Sequence, residues 1–118
     1  MNKHDKSYNL DKLIEFIGND EAAVSSMVGI FLQSTPELLG NINDSLQKSD
    51  ITAVGKYAHM LKPSLDIFGL DKAFELIKKI ETIAKSSENH HLLPDMIRDL
   101  KAMLDRAQTD IRADYPAN

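Results

Sequence analysis

Apolar positions recur at three and four residues along almost the whole chain, the spacing of helices with one buried face. Leu10, Leu13, Ile14 and Ile17 form a short first stripe, closed by Gly18-Asn19-Asp20. Asp20 is placed to cap a second helix, with Ala23 at its third position and Glu21 favourable in its first turn. That helix carries Val24, Met27/Val28, Phe31, Thr35, Leu38, Ile42 and Leu46. Pro36 inside it removes the bond to the Leu32 carbonyl, which predicts a bend rather than a stop. After Lys48-Ser49-Asp50, where Ser49 or Asp50 can cap, a third stripe runs Val54, Ala58, Leu61, Leu65, Phe68 and stops at Gly69, a position suited to a left-handed residue. The fourth stripe is Leu70, Ala73/Phe74, Ile77, Ile80, Ala84. A polar loop from Ser86 to His91 precedes Pro94, which sits in the first turn of a last helix carrying Leu93, Ile97, Leu100, Leu104, Ala107 and Ile111. The tail from Asp114 to Asn118 shows no partner pattern and is expected to fray.

One short and four longer helices with short connections predict an all-α protein. The architecture expected is an antiparallel up-down-up-down four-helix bundle with a short additional N-terminal helix. A length of 118 residues fits a single domain over residues 1–118, with the bundle at about 10–113. Five Gly and four Pro are too few turn formers for an all-β fold, which needs a turn roughly every 8–12 residues. The absence of Cys excludes a disulfide scaffold, a thiolate metal site and a cysteine nucleophile. The net charge of −4 argues against a broad nucleic-acid or anionic-membrane surface. No apolar run is long enough to span a bilayer, and no signal peptide follows Met1. These readings predict a cytoplasmic, soluble monomer that binds neither nucleic acid nor membrane.

The third helix also presents a polar stripe, Thr52, Gly55, His59, Lys62 and Asp66. His59 should therefore project outward or to a groove edge. Gly55 and Pro63, one turn to either side, have no long side chains and leave space around the imidazole. Lys56 and Lys62 stand three residues before and after it in an otherwise acidic protein. An exposed neutral imidazole is a good nucleophile near pH 7, and nearby lysines stabilise a phosphoryl group placed on it. If Gly69-Leu70 is the turn between helices three and four, residues at one level have numbers summing to about 140. That puts Glu81 opposite His59, where a carboxylate can hold one ring nitrogen and leave the other free. The alternative is that Glu81 is a solvent-facing partner of Lys78 or Lys85.

The run Ala58-His59-Met60-Leu61-Lys62-Pro63-Ser64-Leu65-Asp66-Ile67-Phe68-Gly69 resembles the signature of histidine-containing phosphotransfer (Hpt) domains, commonly H-x-L-K-G-S-S-x-x-x-G. His59, Leu61, Lys62, Ser64 and Gly69 match; Pro63 replaces the usual glycine and Leu65 the second small residue. The likeness extends to Phe31-Leu32 and Thr35 to Leu39, and to Ile77 through Glu81. It implies that His59 is the phosphoacceptor through Nε2, that Lys62 lies beside the phosphate, and that Glu81 holds Nδ1–H. It implies receiver domains of response regulators or of a hybrid histidine kinase as partners, with catalysis and Mg²⁺ supplied by the receiver. The protein itself would be a phosphocarrier, not an enzyme, and would need no cofactor. Lys56, Gly55, Pro63 and Ser64 would neighbour the phosphate; Ser64 alone reads as a residue bonding back to the Met60 carbonyl.

The rival reading is an inactive Hpt-like bundle that only binds a receiver or kinase. His90-His91 with His4 does not make a metal site, because adjacent loop residues do not converge on one ion. For a docking surface, equal levels of helices two and three sum to about 98, which places Leu39 beside His59 and Pro36 beside Lys62. Leu32, Leu39 and Met60 lie off the strict seams and are expected to form an exposed apolar patch around His59, extended by Leu13 and Phe16 of the first helix.

Overall fold

The computed structural model describes residues 7–116. Its elements are α1 (Asp11–Ile17), α2 (Glu21–Gln47), α3 (Ile51–Ile67), α4 (Asp71–Lys85), a 3-10 turn (His90–Leu92) and α5 (Leu93–Asp114). The described residues include no strand. Helices α2, α3, α4 and α5 pack in a ring: α2 on α3, α3 on α4, α4 on α5, and α5 back on α2. The connections are too short for parallel neighbours, so each helix runs against the next. Helix α1 lies against α2. The architecture is the four-helix bundle with a short leading helix that the periodicity predicts.

Local chemistry sets the boundaries. Asp20 and Asp50 accept from the backbone of Ala23 and Ala53, each at 3.2 Å, capping α2 and α3. Both helices run through their prolines, Pro36 and Pro63. Helix α3 ends with Gly69 left-handed at φ 67°; its amide donates to Asp66 and that of Leu70 to the Leu65 carbonyl, a closed double-bonded terminus. The end of α2 repeats that arrangement with Ser49 at φ 59°, and the amides of Ser49 and Asp50 donate to Leu46 and Ser45.

The core follows the predicted stripes on α3, α4 and α5: Val54, Ala58, Leu61, Leu65, Ile77, Ile80, Leu93, Leu100, Ala107 and Ile111 are fully enclosed. Helix α2 departs from its predicted face. Leu32 and Leu39 are buried at 4% and 8% exposure, whereas Met27, Leu38 and Leu46 are only partly covered. The reason is that α2 is shared by two long neighbours, α3 and α5, and also meets α1, so its buried stripe is wider than one seam. Leu39 does not stand beside His59; with Thr35, Ile97 and Leu104 it lines a groove of about 400 Å³ between α2 and α5. Leu13 is likewise buried, as the residue by which α1 joins the core. The apolar patch expected from Leu13, Leu32 and Leu39 is therefore not on the surface.

The segment before α1 meets the end of α5. Tyr8 is buried and its hydroxyl donates to Asp114; Ser7 donates to Asp110 at 2.7 Å. Burial and the Asp114 carboxylate push the Tyr8 phenol above its ordinary range. The Asn9 amide donates to the Phe68 carbonyl at 2.9 Å, across the α3–α4 turn. A Cβ on Gly69 would lie 2.6 Å from the Asn9 backbone oxygen, so this crossing needs glycine twice over, for φ and for space. Asp114, expected to fray, instead ends α5 under a partner from the opposite end of the sequence, and Tyr115 packs against the core.

Candidate functional site

Helices α3 and α4 approach closely because small residues face each other. Gly55 is buried, and a Cβ there would sit 3.3 Å from the Ala84 Cβ. Gly55 thus serves helix packing; it does not open space above the imidazole, as the spacing alone suggested. One turn along, His59 on α3 faces Glu81 on α4, at the level that the Gly69 turn fixes.

His59 has 64% of its side chain exposed, while the Glu81 side chain has 8%. The Glu81 carboxylate has three donors. Its Oε2 lies 2.7 Å from His59 Nδ1 and 2.7 Å from Lys85 Nζ, and its Oε1 accepts from Lys62 Nζ at 2.8 Å. The hydrogen bonds from Lys62 and then Lys85 hold its carboxyl down at about 2; burial opposes them, and the bond to His59 adds to them. A carboxylate that stays ionised has no proton to give, so the hydrogen in the 2.7 Å contact belongs to His59 Nδ1. In the neutral ring the lone pair then resides on Nε2.

The structure brings His59, Lys62 and Glu81 together and adds Lys85. The Glu81–Lys85 pair and the orienting contact to His59 share one oxygen, but Glu81 is buried rather than solvent-facing, and Lys78 pairs with Glu75 instead. The sequence offered Lys85, by its four-residue spacing, only as the partner of a solvent-facing Glu81, not as a member of the His59 cluster. Lys56 is exposed on the preceding turn and forms no ion pair with the described residues; Pro63 is exposed and Ser64 half-buried. Met60, beside His59, is 50% exposed, and Phe16 on α1 is 77% exposed. His90 turns away into its own loop, its Nε2 donating to the Ser86 carbonyl at 2.6 Å; His4 lies outside the described residues.

An outward imidazole with its inner nitrogen held by a carboxylate fits a histidine that exchanges a group at Nε2. The family model of the Hpt domain matches the chain over residues 26–110. The chain belongs to the Hpt family. Hpt domains are helical bundles that serve histidine phosphotransfer in two-component phosphorelays. The matched part of this Hpt domain runs from the second turn of α2 into the last turn of α5 and contains the whole His59 cluster; α1 lies outside it. No curated protein and no solved structure matches the chain. Among the described residues, no helix of this Hpt domain is long and apolar enough to cross a membrane.

Proposed function

We propose that this Hpt domain carries a phosphoryl group on His59 between receiver-domain aspartates. The observation that supports the reading is the 2.7 Å bond from His59 Nδ1 to an ionised, buried Glu81, on a side chain that is itself mostly exposed. The Nε2 lone pair attacks the phosphorus of an aspartyl phosphate. The bond from phosphorus to the aspartate oxygen breaks, and its electron pair returns to that carboxylate. The ring gains positive charge in this step, and the hydrogen bond that Glu81 accepts from Nδ1–H holds the ring in place as it does so. Transfer onward runs the same bonds in reverse on a second receiver. Lys62 has two ammonium protons beyond the one given to Glu81, one turn along α3 from His59, and in this reading they supply positive charge to the incoming phosphoryl group. Catalysis and Mg²⁺ belong to the receiver. Met60 and Phe16 are exposed apolar groups suited to its docking surface.

Incubation with a phosphorylated receiver, followed by a test for acid-labile phosphate, checks this. The wild-type protein should be labelled and His59→Gln should not, with helicity unchanged because the side chain lies outside the core. Label retained on His90 or His91 in that variant would refute the assignment. Receiver binding without any labelling would favour the inactive binding module.

A further inference from the structure

We propose that Lys85 is a positioning residue for His59 that acts only through Glu81. The inference rests on the phosphoacceptor reading above. Lys85 bonds to the same carboxylate oxygen that receives His59 Nδ1, on the inner side of the ring and away from the nitrogen that would carry phosphate. Its route to that oxygen is built into the α3–α4 packing. Gly55 lets α3 come close to Ala84, and the Lys85 stem passes beside it, its Cγ at ordinary contact distance, 3.7 Å, from where a Cβ on that glycine would lie. Lys62 grips the other oxygen from α3, so the carboxylate is held on both edges and cannot rotate away from the ring.

The charge arrangement gives this grip a purpose. A lone carboxylate at Nδ1 favours a second proton on the ring, and that proton would occupy Nε2. The groups that face Glu81 are His59 and Lys62 from α3 and Lys85 from its own helix; no charged group of α2 or α5 forms an ion pair with it among the described residues. Two ammonium groups on one carboxylate leave the hydrogen bond that fixes the tautomer while cancelling the negative charge that would protonate Nε2. Lys85 therefore lets a glutamate do the work of a neutral acceptor. A direct partner of the phosphoryl group would instead have to reach the opposite ring nitrogen.

A four-protein comparison decides between the two roles: wild type, Lys85→Met, Glu81→Gln and the double variant. Phosphoryl acceptance from a phosphorylated receiver is measured against pH. The Glu81 carboxyl is followed separately by ¹³C NMR titration in unphosphorylated protein. Lys85→Met should raise the Glu81 titration midpoint. It should also slow acceptance about threefold to fivefold at neutral pH and move the acceptance profile to higher pH. Lys85→Arg should restore both. In the Glu81→Gln background, Lys85→Met should change nothing, since no charge is left to cancel. An equal slowing in that background would overturn the proposal and make Lys85 a direct phosphate partner. So would an unmoved Glu81 midpoint in Lys85→Met. A wild-type protein that takes no phosphate, yet whose Glu81 midpoint rises in Lys85→Met, would refute the phosphoacceptor reading while supporting the hold of Lys85 on Glu81.

Discussion

Replacing Glu81 by Gln should remove a pH-dependent part of the stability. The Glu81 carboxyl falls from its ordinary 4.5 to about 2 in the folded protein, chiefly through Lys62 and then Lys85. Each pH unit of such a difference corresponds to about 1.4 kcal/mol, so about 3 kcal/mol is the ceiling. The partners reach water, with Lys62 29% and Lys85 61% exposed, and screening reduces the contribution to about 1–2 kcal/mol. The folded value lies below the unfolded one. The stabilisation is therefore complete above pH 4.5 and disappears as pH falls toward 2. Urea unfolding followed by far-ultraviolet circular dichroism, at steps from pH 7 to the lowest pH at which the wild type still folds, measures it. Glu81→Gln should be less stable by about 1–2 kcal/mol at pH 7, with the difference shrinking steadily below pH 4.5. A difference that stays constant over that range, or no difference at pH 7, would refute the role given to the two lysines.

Two further outcomes test the fold around the site. Gly69→Ala should destabilise by about 2–3 kcal/mol in the same assay, from a left-handed alanine and a Cβ driven into the Asn9 backbone, whereas Gly40→Ala, in open space inside α2, should gain about 1 kcal/mol. Leu32→Asp should cost about 3 kcal/mol or more because it buries an unpaired charge, while Met60→Asp should leave stability within about 0.5 kcal/mol and weaken receiver binding in a titration.

The register between α3 and α4 was readable from the chain because one residue, Gly69, fixes the turn and every later level follows by counting. The 3-4 spacing of Val54, Ala58, Leu61 and Leu65 identified the buried face of α3 for a similar reason: the run is short and nearly unbroken by alternatives. Helix α2 resisted, since its 27 residues face both α3 and α5 and several adjacent leucines compete for the seam. Counting levels between α2 and α3 could not show which way Leu39 turns, and the structure turns it to α5. The tie between Tyr8 and Asp114 spans more than a hundred residues, and neither residue belongs to a periodic stripe that would announce it. Lys85 was visible as a helical neighbour of Glu81, but a pair four residues apart looks the same on paper whether its acid is exposed or enclosed. Only the burial of Glu81 beneath His59 separates the two cases.

The meeting of Ser7 and Tyr8 with Asp110 and Asp114 makes the bundle nearly a closed loop of chain. A linker could join Ser7 to the residue after α5, and the polypeptide could be reopened in the exposed Ser86–Asn89 loop without cutting any helix. Such a circular permutant would begin with α5, pass through α1 and α2, and finish with α3 and α4 as an uninterrupted hairpin. Gly55, His59, Lys62, Glu81 and Lys85 all belong to that hairpin. The order in which the helices are synthesised is thus separable from the assembly of the site.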